Sequence, residues 1–246
     1  MEVTSRFPEI DMARGIAILM MIIFHTVFDL SFFNIIPVDI SDGFWRYFAI
    51  STASLFLLIV GISLTISRTR AAASLSGYQL ALKFIYRGCG IFLLGLLVTA
   101  ATWLYLKEGF VIFGILHLIG VSVIISTFFF PLKKYNIGLG FIFIAVGFFF
   151  STITGPIWLL FLGIHPATFS SVDYEPLFPW FGMVLIGMGL GDYFYNGNIR
   201  KFPVPRVPGS LMRALTFPGR HSLVIYLIHQ PIIILLLGVL TNTKVL

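Results

Sequence analysis

Charge is scarce in this chain. Asp, Glu, Lys and Arg make up 11% of its 246 residues, whereas 58% are hydrophobic and the mean hydropathy is +1.00. Soluble domains carry about 25% charged residues, so a soluble globule is excluded, and with it an accessible nucleic-acid-binding domain. Cysteine is almost absent as well. Cys89 stands alone, which rules out an internal disulfide and thiolate metal clusters, and it reads as a small packed residue near a helix end. No internal repeat of the kind that marks many transporters is visible. No phosphate loop of the soluble-enzyme type occurs either. Gly187-Met-Gly-Leu-Gly191 follows no strand, so it reads as helix packing, as do Gly61, Gly88, Gly90, Gly95 and Gly182.

What the chain has in quantity is long apolar runs. A hydrocarbon core of roughly 30 Å needs about 20 helical residues, and runs of that order are expected near 12–33, 44–67, 83–106, 110–130, 137–154, 176–195 and 219–240. Barrel strands would be shorter and would alternate polar with apolar residues. The expectation is therefore an all-α, polytopic membrane bundle of about seven transmembrane helices, forming a single domain over 1–246. The first run is too long, and too polar at its outer end, for a cleaved signal. Between 200 and 220, Pro203, Pro205, Pro208 and Pro218 predict a connection too proline-rich for a continuous helix. Between Ser151 and Pro176, the piece 157–162 is too short to span and is expected at the interface or re-entering the bundle.

Orientation follows from the basic residues. With the amino terminus cytoplasmic, the inner segments hold Arg6, Arg14, Arg68, Arg70, Lys83, Arg87, Lys133, Lys134, Arg200, Lys201, Arg206, Arg213 and Arg220, thirteen of the 16 Lys and Arg. Arg46, Lys107 and Lys244 fall outside, with Asp39, Asp42, Glu108, Asp173 and Glu175. The positive-inside rule then places the carboxyl terminus outside, and Trp45, Trp103, Trp158 and Trp180 fall at outer helix ends, where indole rings settle. The net charge of +6 suits anionic lipid. A sharper reading assigns Arg68, Arg70, Lys83 and Arg87, with Arg14 and the neighbouring Asp11, to a phosphorylated cytosolic ligand, because guanidinium groups match phosphate oxygens.

Ionisable residues inside a bilayer are costly and usually line a cavity or pathway. On the first helix Asp11, Arg14, His25 and Asp29 fall at about 0°, 300°, 320° and 0° around the axis, one stripe roughly 60° wide. His25 and Asp29 have the i, i+4 spacing at which a carboxylate can fix an imidazole tautomer and leave the other nitrogen free as a base. His117 and His229 are expected at depths similar to His25, roughly 15 to 20 Å from the cytoplasmic boundary, which predicts one polar chamber. Ser222 and Tyr226 share a face with His229, beside Pro231. His165 and His221 read as solvated surface residues. A chamber of this kind suits an enzyme, a small-solute or proton-coupled transporter, or haem held between histidines. No metal site is expected.

Four stretches together resemble a known family. Glu9-Ile-Asp-Met-Ala-Arg-Gly-Ile-Ala-Ile-Leu-Met through His25-Thr-Val-Phe-Asp-Leu30, Phe113-Gly-Ile-Leu-His-Leu-Ile-Gly120, Asp173-Tyr-Glu-Pro-Leu-Phe-Pro-Trp-Phe-Gly182 and Ser222-Leu-Val-Ile-Tyr-Leu-Ile-His-Gln-Pro231 look like the heparan-alpha-glucosaminide N-acetyltransferase catalytic-domain-like family of prokaryotic membrane proteins. The likeness extends over nearly the whole chain. The first and last motifs also resemble the wider transmembrane acyltransferase group, whose functional arginine and histidine on helix one match Arg14 and His25.

The resemblance implies a multi-pass protein of a prokaryotic plasma membrane. It would move acetyl from cytosolic acetyl-CoA to an amino or hydroxyl group of a sugar or glycan-like acceptor at the outer face. Arg14, Arg68, Arg70, Lys83 and Arg87 would hold the CoA phosphates, and Asp173, Glu175 and Tyr226 would meet the acceptor. On this reading His25 is the general base, oriented by Asp29, and His117 and His229 bond the developing oxyanion. The lysosomal relatives have a functional histidine in the segment after helix one and an asparagine where His25 stands; Ser31 to Phe44 contains no histidine. The sequence leaves room for a homodimer.

Overall fold

The computed structural model describes residues 7–195, 197, 199–204 and 207–241, so the expectations placed on Arg6, Pro205, Arg206 and Lys244 lie outside the described residues. Among the described residues there are eight α-helices and no strand: α1 (Pro8–Phe32), α2 (Gly43–Ala71), α3 (Gly77–Leu106), α4 (Ile115–Phe129), α5 (Asn136–Phe150), α6 (Leu177–Phe194), α7 (Gly209–Arg220) and α8 (Ser222–Thr241). Six stretches are long and apolar enough to cross a membrane, which makes this an all-helical, polytopic membrane protein.

One of the six, Ile115–Phe150, is 36 residues long, about 54 Å if straight against a core of roughly 30 Å. A 3-10 segment, Phe130–Tyr135, breaks it, with Lys133 at φ 50°, ψ −126°, and so separates α4 from α5. The seven expected runs correspond to α1–α6 and α8. The fourth starts at Ile115 rather than 110, because Lys107 and Gly109 turn the chain with positive φ and the Val111 N–H is taken by Thr102 Oγ1 at 3.1 Å.

As the prolines predict, the 200–220 segment is not one continuous helix: the described residues 200–204 and 207–208 are non-helical, and the twelve-residue α7 begins only at Gly209. Pro203 and Pro208 precede the first turn, where a missing N–H costs nothing, and Pro218 sits in the last turn. Cys89 is exposed rather than packed, and no atom lies within 4 Å of where a Gly90 Cβ would be, so Gly90 does not serve packing.

The chain divides into two compact units, Met1–Phe56 with Val204–Leu246, and Leu57–Pro203. In the first, α1 opens on Pro8 with Glu9 and Asp11 in its first turn, a favourable start for a helix dipole. Its Ala17 and Ile18 are fully buried. α1 and α7 run antiparallel in backbone contact: a Cβ on Gly15 would land on the Leu215 carbonyl, and one on Gly219 on the Asp11 carbonyl. α8 packs beside them through His229, Ile233 and Leu237.

In the second unit small residues again set the approach. Gly88 meets Gly120 between α3 and α4, and Gly140 meets Gly182 between α5 and α6, a Cβ on Gly88, Gly140 or Gly182 falling 2.6 Å from the facing carbonyl and one on Gly120 2.9 Å from it. Gly187 and Gly191 seat α6 on the Leu58–Thr65 part of α2, where Thr65 Oγ1 donates to the Met188 carbonyl at 3.0 Å. The connection before α6 folds into a short 3-10 segment, Ile157–Leu162, with Trp158 exposed and Leu160 buried. It is closed by Gly155 N–H donating to the His165 carbonyl at 3.1 Å.

Candidate functional site

In the first unit, α1 and α8 bring two histidines together. His25 Nδ1 lies 2.7 Å from His229 Nε2, with the rings stacked at 4.9 Å between centroids. His229 Nδ1 lies 2.6 Å from the Tyr226 carbonyl. A carbonyl only accepts, so in the neutral pair His229 carries its proton on Nδ1 and offers a bare Nε2. His25 must then donate from Nδ1. The consequence is a His25 Nε2 that holds a lone pair, the state of a general base before it takes a proton.

Asp29 is not the partner expected for His25. Its Oδ1 accepts from Gln230 Nε2 at 2.7 Å, and its Oδ2 is buried with no hydrogen-bond partner. His229 therefore occupies the orienting position assigned to Asp29. In this tautomeric state its Nε2 accepts rather than donates, so the expected oxyanion contact from His229 is corrected as well. Tyr226 contributes its carbonyl, and its ring lies 5.6 Å from that of His229. With two of their nitrogens hydrogen-bonded directly to each other, His25 and His229 leave no room for an iron between those atoms.

Toward the start of α1, Asp11 is held by two arginines. Arg14 Nη1 donates to Oδ1 at 3.0 Å and Arg220 Nε to Oδ2 at 3.3 Å, while Arg14 Nη1 also reaches the Gly219 carbonyl at 3.3 Å. One carboxylate thus lies between two guanidiniums. The sequence marks Arg220 only as an inner-segment cation and Gln230 only as part of the last motif, because the partner of each lies across a helix pair that residue order alone does not reveal.

In the second unit, Arg68 and Arg70 close the last turn of α2. The Arg68 guanidinium lies 5.3 Å over the Phe130 ring, which also meets Phe84 edge-on at 5.0 Å. Lys83 and Arg87 flank Phe84 on α3, both exposed. Arg68 lies over Phe130, and the exposed Lys83 and Arg87 lie on the same helix as Phe84, all three being cationic donors of the type that bind phosphate.

His117 has another role from the one expected. Gly114 N–H donates to its Nδ1 at 3.3 Å at the start of α4, which puts its proton on Nε2, facing Thr99 Oγ1 at 3.4 Å. Phe113 stacks on the ring, Phe92 meets it edge-on, and Gly95 packs against it. With both nitrogens engaged, His117 caps α4 rather than awaiting an oxyanion. Asp173 serves the same helix start, its Oδ2 accepting from Ile115 N–H at 3.3 Å. His165 packs against Phe169 and Tyr174 rather than standing in solvent, whereas His221 is exposed, its Nδ1 bonded to the Phe217 carbonyl at 2.9 Å.

Outside the spans, Tyr174 donates to the Leu160 carbonyl at 2.7 Å, and burial pushes its pKa up to about 12. Glu175 Oε2 is buried without a partner; burial first, and the neighbouring Asp173 charge second, hold its carboxyl well above the usual value of 4.5. The raised pKa means that the neutral acid suits the fold. Stability tied to Glu175 is complete below pH about 4.5 and is lost as pH rises toward the raised value. Glu175→Gln is accordingly expected to melt with the parent protein at pH 4 and above it at pH 8. Tryptophan-monitored thermal melts in detergent check this, and an equal or lower melting point for the variant at pH 8 would contradict it.

A family model described as heparan-alpha-glucosaminide N-acetyltransferase, catalytic, matches residues 6–231. No curated protein and no solved structure matches the chain at a significant level.

Proposed function

The chain belongs to the heparan-alpha-glucosaminide N-acetyltransferase catalytic family, and on that premise we propose that it is an acetyl-CoA-dependent acyltransferase acting across the membrane. The observation that carries the proposal is the Tyr226–His229–His25 chain of hydrogen bonds, which leaves a basic nitrogen on His25 inside a membrane helix pair. His25 Nε2 takes the proton of the acceptor's amine or hydroxyl as its nitrogen or oxygen bonds to the thioester carbonyl carbon. The C–S bond then breaks, and the proton passes to the CoA thiolate. His229 holds the imidazole in register and shares the charge it gains.

Arg14 with Asp11 and Arg220, and the set of Arg68, Arg70, Lys83 and Arg87, supply the phosphate-binding groups at helix ends that the positive-inside rule assigns to the cytoplasm. With this orientation the amino terminus is cytoplasmic and the acceptor arrives from the outer side. In the second unit Asp173, which doubles as the cap of α4, and Glu175 are candidate acceptor contacts, and in the first unit the ring of Tyr226 is another.

The decisive measurement is saturable binding of labelled acetyl-CoA to the purified chain in detergent. Losing a charged hydrogen-bond partner costs about 1.5–3 kcal/mol, so Arg14→Ala is expected to weaken binding by roughly 10- to 100-fold. Absence of saturable binding by the parent protein would sink the acyltransferase reading.

A further inference from the structure

Pro231 follows His229 and Gln230 inside α8. It has no N–H, so the helix bond that would run back to the Leu227 carbonyl is missing, and a helix bends or yields where such a bond is lost. His229 stands at the part of α8 that its own backbone holds least. Its contact with His25 nevertheless demands close register: at 2.7 Å, an opening of about 1 Å carries the two nitrogens beyond hydrogen-bond reach.

A second directed contact crosses the same helix pair. Gln230 Nε2 donates to Asp29 Oδ1 at 2.7 Å, one turn beyond His25 on α1 and one residue beyond His229 on α8. Asp29 is 2% exposed, so little water competes for the bond. The other buried residues of α8, Ile233 and Leu237, are apolar, and apolar contact is non-directional. About a single bond α8 can swivel. Two bonds a turn apart set its position both along and around α1.

We propose that Asp29 and Gln230 are positioning residues for the base: their bond pins α8 to α1 beside the Pro231 break, and so keeps His229 Nε2 on His25 Nδ1 and the lone pair on His25 Nε2. Asp29 thus orients His25 at one remove, through α8, rather than by direct contact. The proposal rests on the acyltransferase reading for what the base does, whereas the pin itself is measured without transfer.

The test reads the ring nitrogens of the full chain, labelled with nitrogen-15 histidine, by NMR in detergent at pH 8, above the ordinary imidazole pKa of about 6.5. The chain has five histidines, and His25→Ala and His229→Gln assign the two signals. Protonated and bare ring nitrogens resonate far apart, so the tautomer is read directly. The parent protein is expected to show one His25 tautomer, with its hydrogen on Nδ1. Gln230→Met keeps the volume and removes the donor, and Gln230→Asn leaves the amide one methylene short of Asp29. In each the other His25 tautomer is expected to rise roughly tenfold, as the loss of one hydrogen bond predicts. Asp29→Asn keeps an acceptor at Oδ1 and puts its amide nitrogen at the place of Oδ2, which has no partner. Asp29→Asn combined with Gln230→Glu forms the same bond with donor and acceptor exchanged. Both are expected to keep the parent tautomer.

Acetyl-CoA binding within twofold of the parent, together with a single elution peak, reports that the Gln230 variants are folded. The pin is overturned, and the acyltransferase reading left standing, if the parent already shows both tautomers or if the Gln230 variants keep one. Loss of the single tautomer in Asp29→Asn overturns it too, because the charge rather than the bond then matters. If neither Gln230 variant elutes as one species, the bond holds the fold rather than the base, and the pin is again overturned. Tautomers as expected in a parent chain that binds no acetyl-CoA sink the acyltransferase reading and leave the pin.

Discussion

Replacing His25 by alanine is expected to lower the turnover of acetyl transfer by about 10²- to 10⁴-fold, the range that a positioned general base contributes. Acetyl-CoA binding should stay near the parent value, because the basic groups assigned to the donor lie elsewhere on the chain. The expectation comes from the direction of the hydrogen bonds. The Tyr226 carbonyl can only accept, His229 relays that constraint, and His25 is left with its lone pair on Nε2. His229→Gln should cost less, since the base survives and only its tautomer and ring angle are released; its effect is expected to include an altered pH dependence of turnover. The measurement is transfer of labelled acetyl by detergent-purified protein, with donor binding as the control for folding. A His25→Ala variant that turns over within threefold of the parent would remove His25 from the chemistry.

The outline of the fold was legible because hydrophobic length is a direct signal: apolar runs of helical length found α1–α6 and α8 within a few residues at most ends. The stripe on α1 was legible too. Asp11 and Arg14 meet α7, while His25 and Asp29 meet α8, so the residues grouped by the 100° step do look toward other helices. Depth arithmetic paired His25 with His229 correctly, for both helices run outward from the same side in the expected topology.

The sequence did not reveal which neighbour each polar atom takes. The i, i+4 spacing favoured Asp29 for His25, but spacing along one helix says nothing of a glutamine on the next helix at 2.7 Å. Depth placed His117 with the other histidines, whereas a backbone N–H only three residues back captured its Nδ1. That capture had a local signal. Gly114 and His117 have the spacing of a capping residue and its third helical position, whereas depth alone groups His117 with the other histidines.

The second large effect concerns Gly15, where the fold and the donor site share one contact. A Cβ at this position would fall on the Leu215 carbonyl, and one at Gly219 on the Asp11 carbonyl. In both cases the obstacle is backbone, which cannot swing aside as a side chain does. Overpacking a tight contact typically costs about 1–3 kcal/mol, occasionally more, and here the separation of two helices must change to relieve it. Gly15→Ala is therefore expected to lower the melting temperature clearly, and Gly15→Leu to prevent recovery of a monodisperse protein. Moving α7 off α1 would also pull Arg220 from Asp11 and the Gly219 carbonyl from Arg14, so Gly15→Ala should bind acetyl-CoA more weakly even below its melting point. Gly90→Ala supplies the contrast. Nothing lies within 4 Å of its added methyl, and alanine favours a helix over glycine by about 1 kcal/mol, so its melting point should equal or exceed that of the parent. Thermal melts of the two alanine variants, read side by side, decide the matter: if Gly15→Ala melts with Gly90→Ala, the close approach of α1 and α7 is not what holds this part of the molecule together.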